Sequence, residues 1–357
     1  MEKLFDFLTG CRDDSVCFVT PRGRVKYGEL NTMVRSLCGI TASAGLAVLA
    51  FAQNAYCVAF YVSCLLTHTP LLLLEPSSGR EELLSAADRF GADLAACGGL
   101  LSDACVFRAE NFCVCRLPCG GDPPPDREIA LLVSTSGSLH NAKFVKLSAE
   151  NIRCNTRQIL DYLPVGENDL AFPPPPFSYV YGLSVLNTHL SAGAAVALCG
   201  ENILSKAFWD FAENIPATNI NGVPYFYDVM RRLGGFSRLR RAPRFLTQAG
   251  GRIGEASLDY ILHALPESDL YIMYGQSEAT ARMSYLPPEC LRAKRGSVGI
   301  AVSGGAFRIE NGEILYRGKN IFRGYAQNRS DLAGTVTFAE VHRGEWGFVD
   351  PVGFLYF

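Results

Sequence analysis

The sequence predicts an α/β fold, with two stacked, mostly parallel αβ subdomains and a small C-terminal β-barrel-like subdomain. Strand-like runs at residues 46–51 and 70–74 flank an apolar, helix-like stretch at 56–66, which is the order of a parallel crossover unit. After residue 288, closely spaced glycines separate short strand-like runs, as in small β barrels. With 357 residues, the chain is longer than a single hydrophobic core usually supports, so we expect subdomains.

The composition is that of a globular protein. Apolar residues make up 48% of the chain and charged residues 19%. The 33 basic and 35 acidic residues are scattered, which disfavours nucleic acid as a partner. The first residues show no signal-peptide pattern of a basic start followed by a long apolar run, and polar residues and Pro70 interrupt the longest apolar zone, residues 44–74. We therefore predict a cytoplasmic protein without membrane association.

Thirteen cysteines in a chain without an export signal are expected to be reduced thiols packed as small apolar residues. Cys113, Cys115 and Cys119 are clustered in sequence, but their spacing is not that of a structural zinc site.

Local patterns predict the elements in the N-terminal half. Turn residues at 20–23 separate two short strand-like runs, and Leu30, Val34 and Leu37 then recur at helical spacing, which indicates a hairpin followed by a helix. A short apolar run at 129–133 enters a hydroxyl-rich turn and is followed by a second strand at 144–147. Ser148 is placed to cap the next helix.

The hydroxyl-rich turn at residues 134–143 could bind a polyphosphate through backbone N–H groups, hydroxyls and the ammonium of Lys143. It is not a Walker loop, because the residue directly before Lys143 is not glycine and the residue directly after it is not serine or threonine. Taken alone, such a turn is more often a solvated loop than a phosphate-binding one.

Two motifs stand out in the sequence: residues 135–143 are T-S-G-S-L-H-N-A-K, and residues 274–278 are Y-G-Q-S-E. Together they resemble the adenylate-forming superfamily of acyl-CoA synthetases, luciferases and peptide-synthetase adenylation domains. The first aligns without a gap to the family's phosphate loop, T-S-G-T-T-G-x-P-K, with departures at Leu139, His140 and Ala142, and the second fits the family's motif Y-G-x-T/S-E. Glycine-containing segments at residues 249–251, 296–299, 312–318 and 324–325 match the family in order.

The resemblance implies ATP and Mg²⁺ as cofactors and assigns roles to individual residues. Lys143 and Glu278 are the implied catalytic residues, with Glu278 also the magnesium ligand, and Tyr274 packs on the adenine. Glu345 stands where the family has the aspartate that binds the ribose hydroxyls; a solvated turn residue is the alternative. The remaining implied nucleotide contacts are Thr135, Ser136, Gly137, Ser138, Ala249, Gly250, Gly251, Gly275, Gln276 and Ser277.

The implied acyl pocket comprises Tyr179, Tyr181 and Gly182 after the proline run, together with Asn221, Gly222 and Val223. Tyr179 falls on the position that gates the carboxylate pocket, although both tyrosines could equally be core residues. The aspartate that pairs with the substrate ammonium in amino-acid-activating relatives has no counterpart here, which disfavours an α-amino acid.

Three segments follow from this resemblance: residues 1–170 with the phosphate loop, 171–292 with the adenine and acyl pocket, and 293–357, rich in β structure and ending before a hinge. The implied activity is ATP-dependent conversion of a carboxylic acid to acyl-AMP, for transfer to CoA or a carrier-protein thiol. Relatives continue into a lid domain, so the isolated chain is expected to be impaired unless a separate lid joins it. The alternative is a non-catalytic member that binds nucleotide or acyl ligand, or docks a carrier protein.

Overall fold

The computed structural model of the protein describes residues 13–99, 105–118, 121–134 and 143–357. Its helices are α1 (Tyr27–Thr41), α2 (Ala55–Leu66), α3 (Arg80–Phe90), α4 (Ala149–Leu160), α5 (Val180–Ser191), α6 (Lys206–Ala212), α7 (Pro224–Arg232) and α8 (Glu255–Ala264). Its strands are β1 (Val16–Thr20), β2 (Gly23–Lys26), β3 (Ala47–Ala50), β4 (Leu71–Leu74), β5 (Leu94–Cys97), β6 (Cys105–Ala109), β7 (Phe112–Arg116), β8 (Ile129–Ser134), β9 (Phe144–Ser148), β10 (Leu170–Ala171), β11 (Ala195–Ala197), β12 (Asn219–Gly222), β13 (Phe245–Gln248), β14 (Asp269–Tyr274), β15 (Ser284–Leu286), β16 (Ile300–Ala301), β17 (Ala306–Glu310), β18 (Glu313–Arg317), β19 (Tyr325–Ala326), β20 (Val341–Trp346), β21 (Phe348–Val349) and β22 (Leu355–Tyr356).

The first large sheet has eight strands in the order β19-β9-β8-β4-β3-β5-β7-β6. Its centre is parallel, with β4 pairing to β3 and β8, and β3 pairing to β5. The predicted crossover unit is confirmed, because α2 connects the parallel strands β3 and β4. Asn54 caps α2 by accepting a 2.8 Å hydrogen bond from the Cys57 amide, and Ser148 caps α4 in the same way from Asn151.

The second large sheet has nine strands in the order β16-β15-β14-β13-β12-β10-β11-β1-β2. Strands β12, β13 and β14 are parallel neighbours, so their carboxyl ends meet at one edge of the sheet. The predicted N-terminal hairpin is confirmed as β1 and β2. It joins this second sheet through parallel pairing of β1 with β11.

The two sheets stack with helices between them. One buried core contains Leu49 and Val133 from the first sheet, Met273 from the second, and Phe60 and Leu186 from α2 and α5. The outer faces are covered separately, by α3 on the first sheet and by α6, α7 and α8 on the second. Burial on both faces explains why the strands read as continuous apolar runs rather than alternating ones. The predicted α/β class with two stacked αβ subdomains is confirmed.

The C-terminal segment forms two small sheets, one of β17, β18 and β20 and one of β21 and β22. The division at residues 170 and 292 stays a prediction. Strand pairing crosses these positions, since β1 and β2 belong to the second sheet and β19 to the first. Within the described ranges, no helix is long and apolar enough to cross a bilayer.

Candidate active site

A cavity of about 750 Å³ opens at the carboxyl ends of β12, β13 and β14. Its walls come from the segments that directly follow these strands, including Val223, Gly250 and Gln276, and from Glu345 in β20. Ser134, the last residue of β8, also reaches this wall. Ligands of open parallel α/β sheets bind at this kind of edge, so the cavity is the candidate site.

The segment after β14 lines the cavity from Tyr274 to Glu278. Gly275 is required there, because a Cβ atom at this position would lie 1.6 Å from the carbonyl oxygen of Ala281. The chain turns back on itself at this close contact and continues into a 3-10 turn at Ser277–Ala279. This turn buries Glu278, which is 3% exposed.

Glu345 lies next to Tyr274, although 71 residues separate them. The tyrosine hydroxyl donates a hydrogen bond to Oε2 of Glu345, and Nε2 of Gln276 donates another to the same oxygen at 3.0 Å. The ring of Phe357 packs against the Tyr274 ring, with 4.8 Å between centroids. Three predicted nucleotide contacts, Tyr274, Gln276 and Glu345, therefore form one cluster on the cavity wall.

Tyr325 connects the two predicted catalytic residues. Its hydroxyl donates a hydrogen bond of 2.9 Å to Oε1 of Glu278. Nζ of Lys143, an exposed residue just before β9, lies 5.9 Å from the centroid of the same ring. Thr135, Ser136, Gly137 and Ser138 lie outside the described residues, so the rest of the predicted phosphate loop stays a prediction.

The wall after β13 is formed by main chain. Ala249, Gly250 and Gly251 line the cavity, and the two glycines have φ angles of +82° and +144° that favour glycine. Two buried amide oxygens in the lining, Oε1 of Gln248 and Oε1 of Gln276, have no hydrogen-bond partner among the described residues. A flat ligand with N–H groups, such as adenine, fits these acceptors and the absence of side chains.

Three of the six predicted acyl-pocket residues line the cavity: Tyr179, Tyr181 and Val223. Tyr179, just before α5, donates a hydrogen bond to Glu75, and burial together with this bond raises the pKa of Tyr179 to about 12. Tyr181 is buried and lies 2.8 Å from Oγ1 of Thr247, measured from its hydroxyl oxygen. Burial raises the pKa of Tyr181 to about 12.

The other three predicted acyl-pocket residues do not line the cavity. A Cβ atom on Gly182 would come within 2.3 Å of the carbonyl oxygens of Pro175 and Pro176, so glycine allows α5 to pack on the proline run. Asn221 accepts a 2.7 Å hydrogen bond from Thr247 inside the second sheet. Gly222 makes room for the Phe226 ring. These residues shape the wall without lining it.

Sequence reasoning missed Arg282, which lines the cavity and is 3% exposed. It follows the Tyr274–Glu278 motif by four residues, in a stretch that otherwise consists of small and apolar residues. An arginine is normally exposed, so only its position directly after the motif could have indicated a place in the site.

The cysteines of the described residues are free thiols. The three cysteines that are clustered in the sequence are not the same three that are close together in the structure. Cys119 lies outside the described ranges, whereas the sulfur atoms of Cys105, Cys113 and Cys115 lie within 4.8 Å of one another on β6 and β7. This cluster is at the edge of the first sheet and does not line the cavity.

The site can be compared with a known protein family. The sequence pattern of the AMP-binding enzyme family matches residues 73–326, more than half of the chain. The chain belongs to this family. Its matched region contains the Tyr274–Glu278 motif, Arg282 and Tyr325, whereas Glu345 follows it.

Relatives of the chain include several CoA ligases. Oxalate–CoA ligase of Arabidopsis thaliana is 29% identical over 243 residues, which cover 64% of this chain and 47% of the relative. The 2-succinylbenzoate–CoA ligase of a Geobacillus species is 25% identical, with 64% and 48% covered, and the 4-coumarate–CoA ligase CCL1 of Humulus lupulus is 26% identical, with 63% and 45% covered. The chain thus spans about half the length of these relatives.

Solved structures agree in fold. VinN in complex with L-aspartate superposes with a TM-score of 0.81 at 20% identity, covering 99% of this chain and 97% of VinN. The N-terminal domain of FACL13 from Mycobacterium tuberculosis gives 0.79 at 16% identity, covering 99% of this chain and 97% of that domain.

Proposed function

We propose that the protein activates a carboxylic acid by adenylation. A carboxylate oxygen of the acid attacks the α-phosphorus of ATP, acyl-AMP forms and pyrophosphate leaves. One observation carries the proposal: a single cavity is lined both by the Tyr274–Glu278 motif with Glu345 and by the predicted acyl wall, Tyr179, Tyr181 and Val223. A nucleotide and an acid could therefore lie side by side in it.

ATP, bound with Mg²⁺, would supply the adenylyl group and the pyrophosphate leaving group. Glu278 would hold the metal, because its buried carboxylate offers hard oxygen ligands. Lys143 would steady the outer phosphates. Tyr274 would pack on the adenine and Glu345 would accept the ribose hydroxyls. Tyr274 and Gln276 both donate to Oε2 of Glu345, so Oε1 could accept hydrogen bonds from the ribose.

The acyl group would then pass to a thiol. The names of the relatives as CoA ligases favour CoA as the acceptor. They are named for different acids, so they leave the acid to be identified from this chain's own pocket. A separate lid domain remains part of the proposal, as does a carrier protein in place of CoA.

Calorimetry tests the proposal. The chain should bind AMP, and acyl-sulfamoyladenosines, which mimic acyl-AMP but cannot react, should bind at least about tenfold more tightly because they fill both halves of the cavity. Failure to bind AMP and every mimic would refute the proposal.

Acid-dependent exchange of pyrophosphate into ATP then tests turnover. It should be measured on the chain alone and on the chain joined to the lid domain of an adenylate-forming relative. Tight binding of the mimics without exchange in either form would favour a non-catalytic member of the family.

A further inference from the structure

Arg282 is a buried cation in the wall of the cavity. Its guanidinium carbon lies 4.3 Å from the centroid of the Tyr181 ring, and its Nε lies 3.3 Å from the sulfur of Met273. Its Nη1 lies 3.4 Å from the carbonyl oxygen of Ala281, and the guanidinium also donates a hydrogen bond to the hydroxyl of Tyr162. None of these partners is charged, so the guanidinium keeps N–H groups for a charged acceptor.

No carboxylate among the described residues forms an ion pair with Arg282. The acidic residues that line the cavity have other partners: Glu255 accepts from Arg295, Glu278 from Tyr325 and Glu345 from Gln276. Residues 135–142, outside the described ranges, include no aspartate or glutamate. The positive charge of Arg282 is therefore not neutralised by a carboxylate of the described residues or of residues 135–142.

Such an arrangement is unfavourable unless an anion is bound. An arginine cannot relieve burial by losing its proton, since its pKa in water is above 12. The ring face of Tyr181 compensates part of the lost hydration, but a charged acceptor would compensate more of it. A ligand anion with two oxygens matches the fork of N–H donors.

The position of Arg282 indicates which part of a ligand it would meet. Its ring partner Tyr181 belongs to the predicted acyl wall, whereas the predicted phosphate and ribose contacts, Glu278 and Glu345, have partners of their own. On the basis of the proposed function, we infer that the acid carries a second anionic group, a carboxylate, that pairs with Arg282. A cation at this wall also repels a substrate ammonium.

Pairs of acyl-sulfamoyladenosines test the inference. Each pair has the same chain length and differs in its end, a carboxylate in one member and a methyl group in the other, as in succinyl and butanoyl. The series runs from three to six acyl carbons, so that one member can reach Arg282. For at least one length, calorimetry should show the carboxylate member binding about 10- to 100-fold more tightly, the range of a charge-assisted hydrogen bond.

Arg282→Met should abolish this preference while leaving affinity for AMP and the methyl-ended mimics within about threefold. Arg282→Lys keeps the charge but not the fork, so it should retain a smaller preference. Arg252→Met is the matched control, because Arg252 lines the same cavity but is exposed. That control should keep the full preference.

The unmodified protein gives a decisive result even if the Arg282 variants do not fold. If AMP and the methyl-ended mimics bind but no carboxylate member binds more tightly, the inference is wrong and the proposed function stands. Loss of AMP affinity in a folded Arg282→Met variant, equal to its loss for the carboxylate mimics, would also overturn the inference, because Arg282 would then bind the nucleotide. If neither AMP nor any mimic binds, the proposed function fails and the inference fails with it.

Discussion

The hydroxyl of Tyr325, on the edge strand β19 of the first sheet, donates a 2.9 Å hydrogen bond to Oε1 of Glu278, which lines the cavity. Glu278 follows β14 of the second sheet, so the contact joins the two sheets at the site. Lys143 approaches the same ring from the start of β9. Tyr325 is thus placed to orient the predicted magnesium ligand relative to the predicted phosphate-binding cation.

Tyr325→Phe should weaken Mg-ATP binding by up to about tenfold and leave AMP binding nearly unchanged. The variant removes the hydrogen bond that holds the carboxylate but keeps the ring, which packs against Phe322 with 4.8 Å between centroids. Calorimetry with both nucleotides measures the two affinities. Tyr260→Phe, whose ring stacks on Phe236 outside the cavity, is the control. Equal losses for ATP and AMP would show that Tyr325 does not act through the metal ligand.

Glu278→Ala and Lys143→Ala should each weaken Mg-ATP binding more than AMP binding, because both groups are predicted to act on the outer phosphates and their cation. For Glu278 the difference should shrink when magnesium is omitted. For Lys143 it should persist, since an ammonium contacts the phosphates directly. Calorimetry with and without Mg²⁺ separates the two roles, and a metal-independent loss in Glu278→Ala would contradict the assignment.

Acid should destabilise the fold through His189 on α5, which is 1% exposed. Its Nδ1 lies 2.8 Å from the Val185 carbonyl and its Nε2 3.1 Å from Nδ2 of Asn219, so the ring is satisfied in its neutral form. Burial lowers the pKa of His189 from its ordinary value of 6.5. Below that pH the unfolded chain binds a proton that the folded chain does not, and stability therefore falls as the pH falls.

Urea unfolding at pH 7.5 and 5.5 measures this effect. The free energy of unfolding should decrease towards pH 5.5, with a His189 contribution of at most about 1.4 kcal/mol per pH unit. His189→Gln should lower stability at both values but flatten the pH dependence. His263→Gln, at an exposed position on α8, should leave it unchanged. An unchanged slope in His189→Gln would assign the acid sensitivity to other groups.

Local patterns predicted much of the fold. Apolar runs and the cap at Ser148 identify elements because they act within a few residues. Pairing across long stretches of chain has no such signal. The hairpin of β1 and β2 was predicted, but its partner β11 lies almost 180 residues further on. Which sheet it joins follows from tertiary packing.

The same limit applies to the candidate site. The motif at residues 274–278 and Glu345 entered through family resemblance, and their mutual contact depends on the folded path of the C-terminal strands. Gly182 and Gly222 lie in predicted pocket segments, but a sequence does not show which side of a wall a residue occupies. Arg282 was missed because burial of an arginine contradicts the average behaviour of its residue type.

The final prediction concerns Glu345, whose carboxylate is held by Tyr274 and Gln276. If it accepts both ribose hydroxyls, Glu345→Gln should weaken AMP binding by about 1.5–3 kcal/mol, the net contribution of hydrogen bonds to a charged acceptor. Glu345→Asp keeps the charge on a side chain one methylene shorter. It should bind AMP comparably to the parent or better if the backbone of β20 adjusts.

Removal of the ribose hydroxyls supplies the second leg of a thermodynamic cycle. Binding of 2′,3′-dideoxy-AMP should be as strong in Glu345→Gln as in the parent, because the contact is already absent from that ligand. The coupling energy between residue and hydroxyls should therefore account for most of the loss seen with AMP. Additive losses would mean that Glu345 acts only by positioning Tyr274 and Gln276. Tyr274→Phe distinguishes that case, since it should then reproduce part of the Glu345→Gln loss with both ligands.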